Sequence, residues 1–231
     1  MSLTTASAIA DNYRAVLDGI AHSCARVGRS PAEVTVVAVS KTVGVDEVAR
    51  AIEAGIHDFG ENRTVPFNEK RTAFPRERWH FIGSIQTNKI KDFVGQAALV
   101  HSVASERVLT GIAQRAQLLG IVQPLLLEVN VSGEQSKDGI SPAQLPALLK
   151  LAAQLEGITV TGLMTMAPQG DAGGARAVFR GLRELRDRYA EPYKVTGRVQ
   201  LRELSMGMSE DYPLAVEEGA TIVRIGRSVW V

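Results

Sequence analysis

Short apolar segments rich in β-branched residues alternate with longer segments of helical periodicity along almost the whole chain. This alternation constrains the fold more than any other feature, because strands separated by helices pair in parallel. We predict eight strands, at Val34–Val39, His57–Phe59, Trp79–Ile82, Ala98–His101, Leu125–Val131, Thr159–Met164, Leu201–Leu204 and Ile222–Ile225.

Eight strands joined by helices predict an α/β fold, a (β/α)8 TIM-type barrel preceded by an N-terminal helix. The 231 residues are close to the roughly 250 that are typical of this barrel. A doubly wound open sheet is the alternative, although the chain has no GxGxxG turn to support it. The sequence contains no linker or low-complexity segment, so we expect one domain over residues 1–231, with Pro168 to Ala175 as a loop.

Helix boundaries are indicated by capping residues. Ser141-Pro142 predicts a helix start, with serine as the N-cap and proline in the first turn. Gly55, Gly120 and Gly157 stand where three helices are expected to end.

Composition narrows the function classes only slightly. The formal net charge of +1 gives no electrostatic reason to expect nucleic acid or a membrane surface as a partner. The single cysteine, Cys24, excludes an intrachain disulfide, and we expect it to be a buried apolar residue. The histidines show no short metal-ligand spacing. Charged residues interrupt the first helix, so it is not a signal peptide, and we expect a cytoplasmic protein.

Polar residues follow nearly every predicted strand, at the barrel end where chemistry collects in this fold. Lys41 follows the first strand, and Glu61 and Asn62 follow the second. Most lysines at strand ends are simply solvated. In a mouth poor in water, however, the pKa of a lysine is lowered and its amine attacks carbonyl groups.

Strand alternation turns two charged residues inward. In LLLEVNV, Glu128 and Asn130 share the face opposite Leu127, and in TIVRIG the alternation turns Arg224 inward. A buried arginine costs several kcal/mol unless it is paired. Arg224 therefore needs either a ligand or a structural ion pair, for which Glu128 and Glu203 are the candidates.

A phosphate site is predicted after the last two strands, the usual place in these barrels. Gly207 and Gly226 allow close backbone approach, and Ser209 is the expected N-cap of a helix from Ser209 to Gly219. The alternative is a serine-capped helix without any ligand.

Seven segments occur in the same order from Val37 to Gly226: VAVSK, FGEN, WHFIGSIQTNKI, HS, EVNVSGEQSKDG, GLMTM and LSMGMSEDYPLAVEEGATIVRIG. Together they resemble the pyridoxal phosphate homeostasis protein family, whose barrel is like the N-terminal domain of alanine racemase. Because the matches cover nearly the whole chain, the resemblance is far more specific than any single motif.

The resemblance implies pyridoxal 5′-phosphate (PLP) as the cofactor, held as a Schiff base on Lys41. Asn62 would lie beside the cofactor ring, and Arg224 resembles the arginine that meets the pyridine nitrogen. The residues it assigns to the phosphate cradle are Ser205, Gly207 and Gly226.

An arginine at the ring nitrogen weakens PLP as an electron sink. Racemases of this class also take an acid–base partner from a second, β-rich domain, whereas five residues follow Gly226 here. The resemblance therefore implies a PLP carrier with little or no turnover, acting in vitamin B6 homeostasis and amino-acid pool regulation. We expect a monomer, with PLP and PLP-dependent apo-enzymes as its partners.

Three alternatives stay open. One is a PLP-dependent racemase or lyase, and another is a binding module in which Lys41 is unreactive. The third is a class I aldolase-type enzyme on a phosphosugar, with Glu61, Glu128 and His101 as candidate acid–base residues.

The chain departs from the family pattern at three places. Arg63 follows the GEN motif in place of an aromatic residue, Ala104 stands where an acidic residue is common, and the C-terminus reads RSVWV. The sequence leaves open whether His80 and His101 line the pocket, although we expect His80 to lie in the core.

Overall fold

Eight parallel strands form a closed barrel in which each strand pairs with its neighbours in the chain and β8 pairs with β1. The structure is a computed structural model that describes residues 5–134, 137–168, 170–193 and 197–231. The closed eight-stranded barrel confirms the predicted (β/α)8 fold. The strands are β1 (Thr35–Val39), β2 (Asp58–Glu61), β3 (Arg78–Phe81), β4 (Leu99–Val103), β5 (Gln123–Glu128), β6 (Ile158–Met164), β7 (Val199–Ser205) and β8 (Ile222–Ile225).

Helices surround the barrel, and the predicted N-terminal helix precedes the first strand. A 3-10 turn at Thr87–Asp92 takes the place of the helix between β3 and β4, and another lies at Pro31–Glu33. The α-helices are α1 (Ala6–Arg26), α2 (Val45–Glu53), α3 (Thr64–Ala73), α4 (Glu106–Leu118), α5 (Leu145–Gln154), α6 (Ala172–Tyr193), α7 (Tyr212–Glu217) and α8 (Arg227–Trp230).

Alternation along the strands separates two apolar layers. Side chains that face outward pack under the helices in one continuous cluster that includes Cys24, which is buried as expected. A smaller cluster fills the interior of the barrel and consists of Val37, Leu99, Leu126, Met164 and Ile222. Because successive residues of a strand point to opposite faces, these five inward residues show which other residues of the same strands also point into the barrel.

Two predicted helix starts are wrong. Residues 142–144 form a turn, closed by the Gln144 Oε1 atom, which accepts from the Ser141 N–H at 2.9 Å, and α5 begins only at Leu145. Likewise α7 begins at Tyr212 with Asp211 in the N-cap position, while the Ser209 hydroxyl accepts from the Ser228 N–H at 3.3 Å. Asp211 Oδ1 accepts from the Met208 N–H at 2.6 Å, so in both cases a side chain further along the sequence closes a turn before the helix.

The three glycines predicted to end helices all have positive φ angles, of +87° at Gly55, +66° at Gly120 and +79° at Gly157. The loop predicted from Pro168 to Ala175 is shorter, because α6 begins at Ala172, and its residue Gln169 lies outside the described residues. None of the helices in the described ranges is both long and apolar enough to cross a membrane. Nor do those ranges contain a His, Cys, Asp and Glu cluster suited to a metal ion.

Candidate functional site

A cavity of about 630 Å³ opens at the C-terminal ends of the strands. Four of the six predicted cofactor residues line it, namely Lys41, Asn62, Arg224 and Gly226. A larger groove of about 810 Å³ lies outside the barrel, between the Thr87–Asp92 turn and α4, and contains none of the six. The barrel mouth is therefore the better candidate site, because it alone gathers the predicted residues.

Lys41 lies at the rim of this cavity with an exposed side chain. Within the described part of the chain its amine forms no hydrogen bond and no ion pair. The backbone that leads to it is fixed, however: the Ser40 N–H donates to the Gly60 carbonyl at 3.0 Å, and the Trp230 Nε1–H donates to the Val39 carbonyl at 2.8 Å. A free amine on a fixed backbone is the arrangement that a covalent ligand requires.

Directly behind Lys41, an ion pair is buried between the sheet and α3. Lys70 Nζ lies 2.5 Å from Glu61 Oε1 and donates to the Ser40 carbonyl at 2.7 Å. The Ser40 hydroxyl donates to the same Glu61 oxygen at 2.7 Å. Glu61 is therefore turned away from the mouth, which argues against it as an acid–base residue there.

Arg224 points into the barrel, as its strand pattern predicts, and is 5 % exposed. Its Nη1 donates to the Ser205 hydroxyl at 2.7 Å and its Nη2 to the Thr165 carbonyl at 3.0 Å. Burial lowers its pKa to about 10, against the opposing effects of Glu128 and Asp211, so the guanidinium remains charged at neutral pH. No ion pair joins it to Glu128 or Glu203 among the described residues; polar neutral groups hold it instead.

Glu128 also points inward but lacks a partner. It is 5 % exposed, and no hydrogen bond or ion pair of its carboxyl group is found within the described ranges. Its pKa is raised to about 7, mainly by burial and also by the nearby Asp138, while Arg224 acts in the opposite direction. Asn130, predicted to share its face, lies beyond the end of β5 and donates to the Glu134 carbonyl at 2.8 Å. That part of the prediction is wrong, because the strand ends at Glu128.

Ser205 and Gly207 lie outside the cavity lining. Ser205 is fully buried, and its hydroxyl is already bound by Arg224. Gly207 has a φ of +93°, and a Cβ there would lie 2.6 Å from the Cβ of Ala215, so the turn requires glycine for its own packing. The phosphate-cradle role of these two residues remains a prediction, and their placement favours support of the site from below.

Backbone amides in the cavity lining fit an anion better. Within the described ranges, the N–H groups of Ser209, Gly226 and Arg227 have no protein acceptor. The neighbouring Met208 N–H is bound by Asp211 Oδ1 at 2.6 Å. Free amides beside a buried arginine form a site that a phosphate group satisfies.

The two histidines that the sequence left open are buried inside the barrel. His80 Nδ1 lies 2.9 Å from His101 Nε2, and neither ring lines the cavity. Burial, with His80 and Arg224 adding to it, holds the pKa of His101 well below its usual value. One sequence pattern is consistent with this contact: His80 and His101 both fall on inward positions of adjacent strands.

Of the three departures from the family pattern, the C-terminal segment reaches the cavity lining, through Arg227. Arg63 is exposed at the N-cap position of α3, outside the cavity lining, and Ala104 precedes the Ser105 cap of α4. The C-terminal RSVWV segment forms α8, whose Trp230 binds the Val39 carbonyl. This last departure therefore supports the backbone next to Lys41.

Comparisons with known proteins agree with this geometry. The family model "Alanine racemase, N-terminal domain" matches residues 15–231. A pyridoxal phosphate homeostasis protein of Aquifex aeolicus is 41% identical over 214 residues, which span 91% of this chain and 92% of that protein. A crystal structure from Bifidobacterium adolescentis superimposes with a TM-score of 0.91 at 35% identity, covering 97% of this chain and 95% of that one.

A structure of PipY from Synechococcus elongatus, with PLP bound, is similar at a TM-score of 0.78 and 34% identity. The match covers 92% of this chain and the whole of PipY. The chain belongs to the alanine racemase N-terminal domain family and, within it, to the pyridoxal phosphate homeostasis proteins.

Proposed function

We propose that this chain binds PLP in the barrel mouth and acts in intracellular PLP homeostasis and amino-acid pool regulation. The observation that carries the proposal is that one cavity is lined by Lys41, the buried Arg224 and three backbone amides. Within the described ranges, the Lys41 amine has no partner and the three amides have no acceptor. The PLP-bound PipY structure and the names of the relatives support the same cofactor.

Each group of the cavity has a distinct task in this proposal. Lys41 holds the cofactor covalently through its amine, and Asn62 lies beside the ring. The amide N–H groups of Gly226 and its neighbours bind the phosphate, while Ser205 and Gly207 support this region from beneath. When bound, PLP supplies an aldehyde for covalent attachment and a ring that withdraws electrons.

Arg224 favours storage over turnover. A guanidinium that stays charged at neutral pH disfavours protonation of a ring nitrogen placed beside it, and an unprotonated ring withdraws electrons weakly. We therefore propose a carrier with little or no turnover that delivers PLP to PLP-dependent apo-enzymes. Its proposed form is a cytoplasmic monomer with one domain over residues 1–231.

The aldolase-type alternative is less well supported by the geometry. Of its three candidate acid–base residues, Glu61 is paired with Lys70 behind the sheet, and His101 lies below the cavity. Of the three candidates, Glu128 has a carboxyl group without a partner among the described residues, at the mouth end of β5. A phosphosugar would thus meet the amine without the array of proton donors that its cleavage requires.

Borohydride trapping after addition of PLP tests the proposal. We expect an imine absorption band in the wild-type protein, and a reduced adduct that peptide mapping places on Lys41. Lys41→Ala should abolish both. Lys91→Ala, which removes an exposed lysine outside the cavity, is the matched control and should retain both. An adduct spread over several lysines, or none at all, would reject the proposal.

A further inference from the structure

A continuous chain of hydrogen bonds crosses the interior of the barrel beneath the cavity. Arg224 Nη1 donates to Ser205 Oγ at 2.7 Å, and Ser205 Oγ lies 2.8 Å from His101 Nδ1. His101 Nε2 lies 2.9 Å from His80 Nδ1, and His80 Nε2 lies 3.0 Å from Asp58 Oδ1. Asp58 is the first residue of β2, so the chain ends at the barrel end opposite the mouth.

When each imidazole ring carries one proton, the two ends of this hydrogen-bond chain fix the direction of every bond in it. A carboxylate only accepts, so His80 Nε2 carries the proton that it donates to Asp58. With one proton on each ring, His80 Nδ1 then accepts from His101 Nε2, and His101 Nδ1 accepts from the Ser205 hydroxyl. The lone pairs of Ser205 Oγ are left for Arg224, which is a donor only.

The members of this hydrogen-bond chain are almost completely buried, so their bonds are a built part of the barrel interior. His80, His101 and Ser205 are at most 1 % exposed, and an apolar cluster of five side chains also lies inside the barrel. Asp58 is the only member whose side chain reaches solvent appreciably, at 17 % exposure. Apolar side chains would fill this space without any polar group that needs a hydrogen-bond partner. The presence of hydrogen-bonded polar side chains here therefore requires an explanation other than packing.

We propose that Asp58, His80, His101 and Ser205 are positioning residues, a relay that sets the orientation of Arg224 in the mouth from the opposite end of the barrel. The inference rests on the proposed function where it concerns the cofactor, because Arg224 is the relay member that lines the cavity. The tautomers of the two histidines follow from the relay alone and are independent of PLP.

Nitrogen-15 NMR of histidine-labelled protein without PLP tests the relay by itself. We expect both buried rings to carry their proton on Nε2 and to have a bare Nδ1. The exposed His22 and His57 should show the opposite pattern, because their Nδ1 atoms face the Asp18 carbonyl and the Glu77 carboxylate, which only accept. Asp58→Ala should convert His80 to a mixture of tautomers. Arg78→Ala is the control, since it removes the ion pair of Asp58 at 3.3 Å but no relay bond. A proton on His101 Nδ1 in the wild type would overturn the relay, as would unchanged tautomers in Asp58→Ala.

Titration with PLP then tests the effect on the cavity. We expect Ser205→Ala to raise the Kd for PLP about tenfold, because Arg224 loses one charge-assisted hydrogen bond. Saturating PLP should shift the His80 ring signals in the wild type and Arg78→Ala but not in Ser205→Ala, where the relay is cut. Equal Kd values and equal shifts in all three proteins would overturn the positioning role. If the wild type binds no PLP, the proposed function fails, and the tautomers measured without PLP still decide the relay.

Discussion

The barrel mouth and the layer behind β1 and β2 each contain a lysine and a glutamate, but these side chains are paired in the layer and unpaired at the mouth. Behind the strands, Lys70 and Glu61 are buried against each other, and Lys70 also holds the Ser40 carbonyl. At the mouth end of the barrel, Lys41 on the rim and Glu128 at the end of β5 have no partner among the described residues, although Glu128 is nearly as buried as Lys70.

The difference teaches how to recognise the site. Judged by burial alone, Lys70 would be a candidate site residue. Its amine, however, is bound by Glu61 and the Ser40 carbonyl, so its role is structural. Groups that are held in place but left without partners are the ones available to a ligand. Glu61 is a partial exception: its Oε1 atom pairs with Lys70, but its Oε2 atom is buried without a hydrogen-bond partner among the described residues.

The largest effect that would test this comparison is expected for Lys70→Met. Removing the cation leaves the Glu61 carboxylate buried and unpaired, so the free energy of unfolding should fall by about 3–5 kcal/mol. Urea denaturation of the protein without PLP measures it. Adding Glu61→Leu should restore most of the loss, because no charge then remains buried. A loss below about 1 kcal/mol for Lys70→Met would show that the pair is not structural.

A second prediction concerns the unpaired carboxyl group of Glu128. Its pKa is raised to about 7 in the folded protein, above the usual 4.5, so the folded state binds the proton more tightly than the unfolded state. This group therefore lowers stability as pH rises from about 4.5 to 7, by about 3 kcal/mol in all.

Glu128→Gln should remove this loss. The stability of the variant relative to the wild type should increase by about that amount between pH 5 and pH 8, as measured by denaturation at both values. A difference between the two proteins that stays constant with pH would mean that Glu128 is solvated or paired in the folded protein.

The smallest effect on stability is expected for Lys41→Met. The exposed amine makes no contact in the described part of the chain, so the unfolding free energy should change by less than about 0.5 kcal/mol. Thermal and urea denaturation without PLP would check this. A larger loss would mean that Lys41 also serves the structure, and the contrast with Lys70 would fail.

Sequence patterns predicted the features that depend on one strand at a time. Alternation in TIVRIG placed Arg224 inside the barrel, and an apolar run followed by Lys41 placed the amine at the rim. The strand order followed from the repeated strand–helix pattern. All of these follow from the two-residue period of a strand and the preference for parallel pairing.

Contacts between segments that are distant in the sequence could not be predicted from it. Nothing in NEKRTA marks Lys70 as a buried partner of Glu61, because that contact depends on how α3 packs on β2. The relay from Asp58 to Arg224 depends on the stagger of five strands, which no single strand specifies. The predicted helix starts at Ser141 and Ser209 were wrong because both serines lie in turns that precede the helix. Gln144 closes the first turn by accepting from the Ser141 N–H, and Asp211 closes the second by accepting from the Met208 N–H.

The seam between β7 and β8 is narrow. A single registered pair, Ser205 with Ile222, joins these strands, whereas six pairs join β5 and β6. The bonds from Arg224 to Ser205 and from the Arg224 N–H to the Gly207 carbonyl reinforce the same seam. Local opening of the barrel wall at this place would therefore also release Arg224, so that closure of the barrel and the position of this arginine belong to one cooperative unit.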